Sequence, residues 1–346
     1  MAEGRRRSIA GVIRNGLRIE PAHRDPSLGH GEAVALFARF VEQIEVETTS
    51  FCNRTCSFCP NSFIDRRSER LAMPEPTWGA IVAGLREVRY GGTFVWSRYS
   101  EPLSERRILD RVREVRAAAP ACRIALNTNG DYLDAEYLVE LREAGLDRVM
   151  IDLYVPDDAP ASVEFARTHH DRFLKRVGRT AVIEMETPEL VGRIEDEMEI
   201  VTRVRNAATI EQVHVSDRGG LLQIGHAGAR SSPCFLPYKQ LVIDWDGSIV
   251  PCCQIRSDAG AHANAVVGRI GEGVGLVEAY VLLAGWRGAL SAYGPKAGPC
   301  ASCNYAAYSD DGLTRSVAAL AASLEAPGRR AVQSLLRPWL GRRRTW

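Results

Sequence analysis

The chain has 346 residues, enough to bury a sizeable core as one large domain or two modest ones. Hydrophobic residues make up 45% and charged residues 25%, with 30 Gly and 17 Pro, which excludes a disordered or collagenous chain. The 44 Lys and Arg against 43 Asp and Glu leave a formal charge of +1, so no global field argues for nucleic acid or an anionic membrane as the partner. No run of about 18 apolar residues occurs and the start lacks a signal-peptide core, so a cytoplasmic location is expected. In a reducing compartment the nine cysteines read as metal ligands rather than a disulfide framework.

Residues 1–43, with a short helical pattern at Glu32 to Phe40, read as an N-terminal extension packed on the main body. From residue 44 short apolar runs alternate with amphipathic stretches, the signature of repeated βα units round a parallel sheet. The expected strands are Ile44 to Thr49, Thr93 to Arg98, Arg123 to Thr128, Arg148 to Leu153, Ala181 to Glu186 and Gln212 to Ser216. The expected helices are Thr77 to Arg89, Glu105 to Ala118, Ala135 to Ala144, Ala161 to Val177 and Ile194 to Ala208. The expected fold class is therefore α/β, a partial (β/α)6 barrel over residues 44–220. A small β-hairpin domain follows at 221–310: Leu241 to Asp244, the turn Asp246-Gly247 and Ser248 to Val250. Residues 311–346 read as a helical tail, with six Arg and no acid after residue 325; a solvated tail is expected there, a polyanion or membrane-surface contact being the alternative.

Cys52, Cys56 and Cys59 stand as C-N-R-T-C-S-F-C just after the first strand. Three thiolates on one short loop can hold three corners of a cubane cluster and leave the fourth iron open. Structural zinc is the alternative, which the gap between Cys52 and Cys56 fits less well. The CxxxCxxC loop, with Phe58 before its last cysteine, resembles the radical S-adenosylmethionine (SAM) superfamily. That resemblance implies that the open iron chelates SAM, that an electron cleaves SAM to a 5′-deoxyadenosyl radical, and that a flavodoxin or ferredoxin type protein donates the electron. It further implies that Glu101, in W-S-R-Y-S-E-P-L, holds the amino group of SAM, although Tyr99 and Ser100 replace the family's glycines. Asn127, opening the turn N-T-N-G, and Asp152 and Tyr154, closing the fourth strand, fall where the family contacts SAM.

Cys234, twelve residues, Gly247, four residues and Cys252 are followed by Cys300 and Cys303 as CxxC. Four thiolates from separated segments can enclose a second [4Fe–4S] cluster or one zinc ion, and spacing alone hardly discriminates. The pattern resembles the SPASM/Twitch auxiliary-cluster domain in its shorter, four-cysteine form, which implies the second cluster. Cys122 reads as packing, and Cys253 as a buried thiol or a hydrogen-atom donor.

Strand alternation places Glu184 and Glu186, His214 and Ser216, Asp152 and Tyr154, Asn127, and Glu47 and Thr49 on the inner face. Such a polar lumen suits a polyhydroxylated or amino-bearing substrate better than a lipid, with His214, Glu184 or Arg218 as candidates to deprotonate a hydroxyl, and the resemblance implies a sugar, aminocyclitol or sugar nucleoside. The resemblance implies hydrogen abstraction from such a small molecule in natural-product biosynthesis, with alcohol oxidation as the expected outcome. Epimerisation with Cys253 as donor, dehydration, decarboxylation of a uronic acid and peptide modification are the alternatives within enzymes. A zinc-stabilised binding module is the alternative outside them.

Overall fold

A computed structural model describes residues 2–210, 216–223, 228–271, 273–324, 328 and 331–332. Helices α1 (Ala2–Arg18) and α2 (His30–Phe40) precede the first strand. Strands β1 (Gln43–Val46), β2 (Thr93–Trp96), β3 (Arg123–Thr128) and β4 (Arg148–Tyr154) then lie side by side and parallel. Helices α3 (Glu75–Glu87), α4 (Ile108–Ala118) and α5 (Ala135–Glu143) make the crossovers, and α6 (Val163–Val177) follows β4. Local chemistry sets several of these ends. Asp134 and Ser162 cap α5 and α6 by accepting from the N–H groups of Tyr137 and Phe165, and Gly178, at φ +62°, closes α6 in the left-handed region that a side chain disfavours.

Strand alternation divides the sheet into two faces. Ile44, Val46, Phe94, Trp96, Ile124, Leu126, Val149 and Ile151 are all buried, in one core with Ile81, Leu85, Val112, Val115, Leu138 and Leu141 of the helices. Each such side chain contributes about 1.5–3 kcal/mol on burial. The opposite face carries Glu45, Ser97, Asn127, Asp152 and Tyr154, and the functional groups gather there.

The expected helix over Ile194 to Ala208 is not formed. Strands β5 (Ala181–Met185), β6 (Val191–Ile194) and β7 (Glu199–Arg205) instead make an antiparallel ribbon, with β7 parallel to β4. The sequence Glu-Ile-Val-Thr-Arg-Val-Arg of β7 is β-branched and pleats with Ile200, Thr202 and Val204 buried, so strand preference prevails over a pattern that also fits a helix. Consequently β5 is an edge strand rather than an inner barrel strand. Glu184 and Glu186 are exposed, paired with Arg193 and Arg167, and do not face a lumen. The expected strand Gln212 to Ser216, apart from Ser216, lies outside the described residues, as do His214 and Arg342 to Arg344.

After the ribbon, β8 (Gln240–Ile243) and β9 (Ser248–Val250) form the expected hairpin, turning at Gly247 with φ +84°. Strand β10 (Gly268–Arg269) adds to its outer edge. The hairpin is not a separate layer: β8 pairs parallel to β1 from Gln240 opposite Gln43 to Ile243 opposite Val46. Among the described residues one ten-stranded sheet results, in the order β10-β9-β8-β1-β2-β3-β4-β7-β6-β5. Its parallel strands are β8, β1, β2, β3, β4 and β7, with β7 standing beside β4 where the fifth barrel strand was expected. Helix α1 packs along the helix Gly312–Ser323, where Gly16 passes close to Ala321. No helix among the described residues is long and apolar enough to cross a membrane.

Candidate active site

The loop carrying Cys52, Cys56 and Cys59 leaves the end of β1, and all three thiols are half-buried and unpaired. Its first residues are clamped from the β3 side. Arg54 makes a two-point pair with Asp131, with both contacts at 2.6 Å, while Asn53 donates to Asp131 at 2.7 Å and accepts from Asn129 at 2.8 Å. Burial works against the Asp131 carboxylate, yet Arg54 holds it below the usual range. Arg54 also donates to the carbonyl of Tyr154 at 3.1 Å, and the Tyr154 ring lies 5.5 Å from that of Phe58. The structure thus brings Phe58, Tyr154 and the turn Asn127 to Gly130 around one cysteine loop. Asn127 itself donates to Ser97 at 2.9 Å.

Two expected SAM contacts are already engaged within the protein. Glu101 is 2% exposed and accepts from Thr128 Oγ1 at 2.7 Å, Asn129 N at 2.8 Å and Leu103 N at 2.9 Å. Burial outweighs these donors and pushes its carboxyl up to about 7. It therefore ties the turn after β2 to the turn after β3, a role the resemblance did not imply. Asp152 accepts both arms of Arg203, at 2.8 and 2.9 Å.

Cys234, Cys252, Cys300 and Cys303 are 7%, 7%, 7% and 8% exposed. They are drawn from three separated segments, and the Cys252 thiol feels the other three electrostatically. Burial raises Cys252, and pushes Cys52, Cys56 and Cys300 up to about 12. Such thiols hold their protons until a metal displaces them. Two groups of reduced thiols, three half-buried on a loop and four enclosed, fit one open and one fully ligated iron–sulfur cluster.

Between the two groups lies a set of side chains of which sequence reading named Arg218 and Cys253 but not Glu45 or Tyr305. The Arg218 guanidinium is within electrostatic reach of Cys59, Tyr99 and Tyr154 on one side and Cys253 on the other, and its buried Nε has no hydrogen-bond partner. Cys253, raised to about 12 by burial, neighbours Glu45, Arg218 and Arg98; Tyr305 neighbours Cys253 and Glu45. Glu45 is 4% exposed, and burial raises its carboxyl against the pull of Arg98. The available signals were local. Arg218 opens the run Arg218-Gly219-Gly220, whose three φ values are +51°, +65° and +85°, and Glu45 is an acid at the centre of an apolar strand.

Comparison with known proteins agrees with this geometry. The family model of the radical SAM superfamily matches residues 46–185, and that of the SPASM iron-sulfur cluster-binding domain matches residues 234–275. Residues 46–185 thus match a radical SAM domain and residues 234–275 a SPASM-type domain; the cofactors of this pair are SAM and two [4Fe–4S] clusters. Over 235 residues it is 26% identical to the S-adenosyl-L-methionine-dependent 2-deoxy-scyllo-inosamine dehydrogenase of Niallia circulans, a match covering 68% of this chain and 80% of that one. It is 29% identical over 161 residues to the GTP 3′,8-cyclase of Chlorobaculum tepidum, covering 46% of this chain and 45% of the cyclase. The crystal structure of BtrN in complex with AdoMet and 2-DOIA shares the fold, with TM-score 0.54 and 23% identity over 78% of this chain and 94% of that chain.

Proposed function

We propose that this radical SAM enzyme takes a hydrogen atom from a carbohydrate-like small molecule, an aminocyclitol, sugar or sugar nucleoside, and oxidises an alcohol to a ketone in natural-product biosynthesis. The observation that carries the reading is the placement of Arg218, Glu45 and Cys253 between the two cysteine groups. The similarity to a 2-deoxy-scyllo-inosamine dehydrogenase supports the substrate class. Cys52, Cys56 and Cys59 hold the first cluster, and Cys234, Cys252, Cys300 and Cys303 the second. When bound, SAM on the first cluster supplies a 5′-deoxyadenosyl radical and the second cluster an electron acceptor. The protein supplies orientation. Glu45 accepts from a hydroxyl or ammonium group of the substrate, and Arg218 donates to the oxygen on which negative charge develops as its proton leaves. The first cluster draws its electron from a flavodoxin or ferredoxin type protein, and reduced thiols of this kind suit the cytoplasm.

A second reading is favoured by one observation, the Cys253 thiol lying beside Glu45 and Arg218. There it returns a hydrogen atom to the substrate radical, the thiyl radical left on Cys253 is restored by one electron from the reductant and a proton, and the net result is epimerisation.

Anaerobic incubation with SAM, a one-electron reductant and a carbon-deuterated aminocyclitol tests both readings. Oxidation gives deuterated 5′-deoxyadenosine and one equivalent of ketone; epimerisation gives the same label with no ketone and is lost in Cys253→Ala. Unlabelled 5′-deoxyadenosine across aminocyclitols, sugars and nucleosides would end the proposal.

A further inference from the structure

The turn after β2, Arg98 to Glu101, is held by a closed ring of buried polar contacts that passes through the second cysteine domain. Glu47 accepts from the N–H groups of Tyr99 at 2.8 Å and Ser100 at 2.9 Å and pairs with Arg66 at 3.4 Å. Arg66 donates to the carbonyl of Ser50 at 2.9 Å and pairs with Asp258 at 2.7 Å. Asp258 accepts from Nε and Nη2 of Arg256, at 2.8 and 2.7 Å. The remaining arm of Arg256 donates to Asn61 at 2.8 Å, and Asn61 returns to the Tyr99 carbonyl at 2.8 Å. The Arg256 guanidinium also lies over the Tyr99 ring, 4.3 Å from its centroid.

Glu47 and Arg256 are both fully buried, and Arg66 is 3% exposed. Buried ion pairs return little net stability after desolvation and act chiefly by fixing geometry. Here they replace glycine. The Arg98 backbone stands at φ +92°, a conformation costly for any side chain. Its guanidinium is fixed by Asp244 at 2.9 Å and by the Ile255 carbonyl, and Asp244 also accepts from Ser257 N at 2.7 Å. The segment holding this turn, Ile255 to Asp258, begins three residues after the cluster ligand Cys252, and Ile255 N–H bonds back to the Cys252 carbonyl at 3.2 Å.

We infer that the backbone of the turn after β2 contacts SAM and that Arg256 and Asp258 are positioning residues for it, so that loading of the second cluster and binding of SAM are thermodynamically linked. Assembly of the second cluster orders the loop after Cys252, and through Arg256, Asp258, Arg98 and Asn61 that loop sets the backbone of Tyr99 and Ser100. Linkage of this kind is reciprocal. The inference rests on SAM being a cofactor and is independent of the proposed substrate.

The test titrates SAM into the anaerobically reconstituted, dithionite-reduced full chain and follows the electron paramagnetic resonance signal of the first cluster, with no substrate present. Arg256→Lys keeps the charge but loses the three-way fork. It is expected to retain iron for both clusters, about eight per chain, while binding SAM about tenfold more weakly. Cys300→Ala/Cys303→Ala, which removes the second cluster, is expected to weaken SAM by a similar factor, and adding Arg256→Lys to it is expected to cost little more. Asn61→Ala gives the same reading from the other end of the ring and is used if Arg256→Lys does not fold. SAM affinity within twofold of the parent in fully loaded variants overturns the inference. So does loss of iron from both clusters in both ring variants, which would make the ring a general fold element, or additive effects in the combined variant.

Discussion

Replacing Glu101 by alanine separates a carboxylate that touches SAM from one that ties two turns together. In the structure its oxygens serve three donors, Thr128 Oγ1 and the N–H groups of Leu103 and Asn129. A buried donor left without an acceptor costs about 1–3 kcal/mol, so Glu101→Ala is expected to destabilise the two turns by about 3 kcal/mol or more. In hydrogen exchange on the reconstituted enzyme, the Leu103 and Asn129 amides should exchange roughly 10- to 100-fold faster, the equivalent of about 1.4–3 kcal/mol at each site. Exchange unchanged within twofold, together with loss of SAM binding, would refute the tying role and return the carboxylate to the cofactor. Glu101→Gln adds a pH test. The folded-state value is raised from 4.5 to about 7, so the native chain binds the extra proton between those pH values. The stability this group contributes is present below about pH 4.5 and is lost as pH rises through about 7. Glu101→Gln should therefore flatten a fall of roughly 3 kcal/mol across that window, and an unchanged pH profile of denaturant midpoints would refute it.

Cys52→Ala is expected to lower iron to about four per chain and abolish 5′-deoxyadenosine formation, whereas Cys122→Ala should leave both unchanged; iron and sulfide counts check this. Gly130→Ala forces a side chain into φ +73° with its Cβ 2.8 Å from Ile151 Cγ2, and should cost about 2–4 kcal/mol by the left-handed penalty and overpacking together, read from denaturant midpoints. Removal of residues 1–25 takes away the His23 carbonyl that holds the buried Arg287 and the Asn15 amide that bonds Tyr308 at 3.0 Å. The shortened chain should lose its second cluster to an iron chelator several times faster than the parent. Arg66 and Arg256 hold Asp258 well below the ordinary carboxylate range against the effect of burial. Its stabilising contribution is therefore present above about pH 4 and is lost as pH falls, and Asp258→Asn should make the acid limb of a stability profile shallower.

The first four parallel strands were legible because each is a short apolar run closed by Gly, Pro or polar residues, and because their helices repeat apolar residues at helical spacing. Of the ribbon after α6 only β5 was, since the segment Val191 to Arg205 carries charges at intervals that suit either period, and only pairing with β4 decides between them. The first cysteine group stands out by its spacing on one loop, whereas the second joins Cys234 and Cys252 to a distant CxxC and was grouped through the resemblance. Glu45, Arg98, Arg256 and Asp258 could not, because their importance comes from partners between about 52 and 200 positions away in sequence. The misplacement of Glu184 follows from the same cause: once β5 becomes an edge strand, its alternation addresses solvent instead of a lumen.

The parallel pairing of β8 with β1 has a mechanical consequence. The strand that opens the auxiliary domain and the strand that delivers the first cysteine loop share a hydrogen-bonded ladder from Gln43 to Val46, so the two halves of the chain have no plane along which to hinge. The spacing between the two cysteine groups is thereby cast into the sheet itself, which works as a common chassis for both.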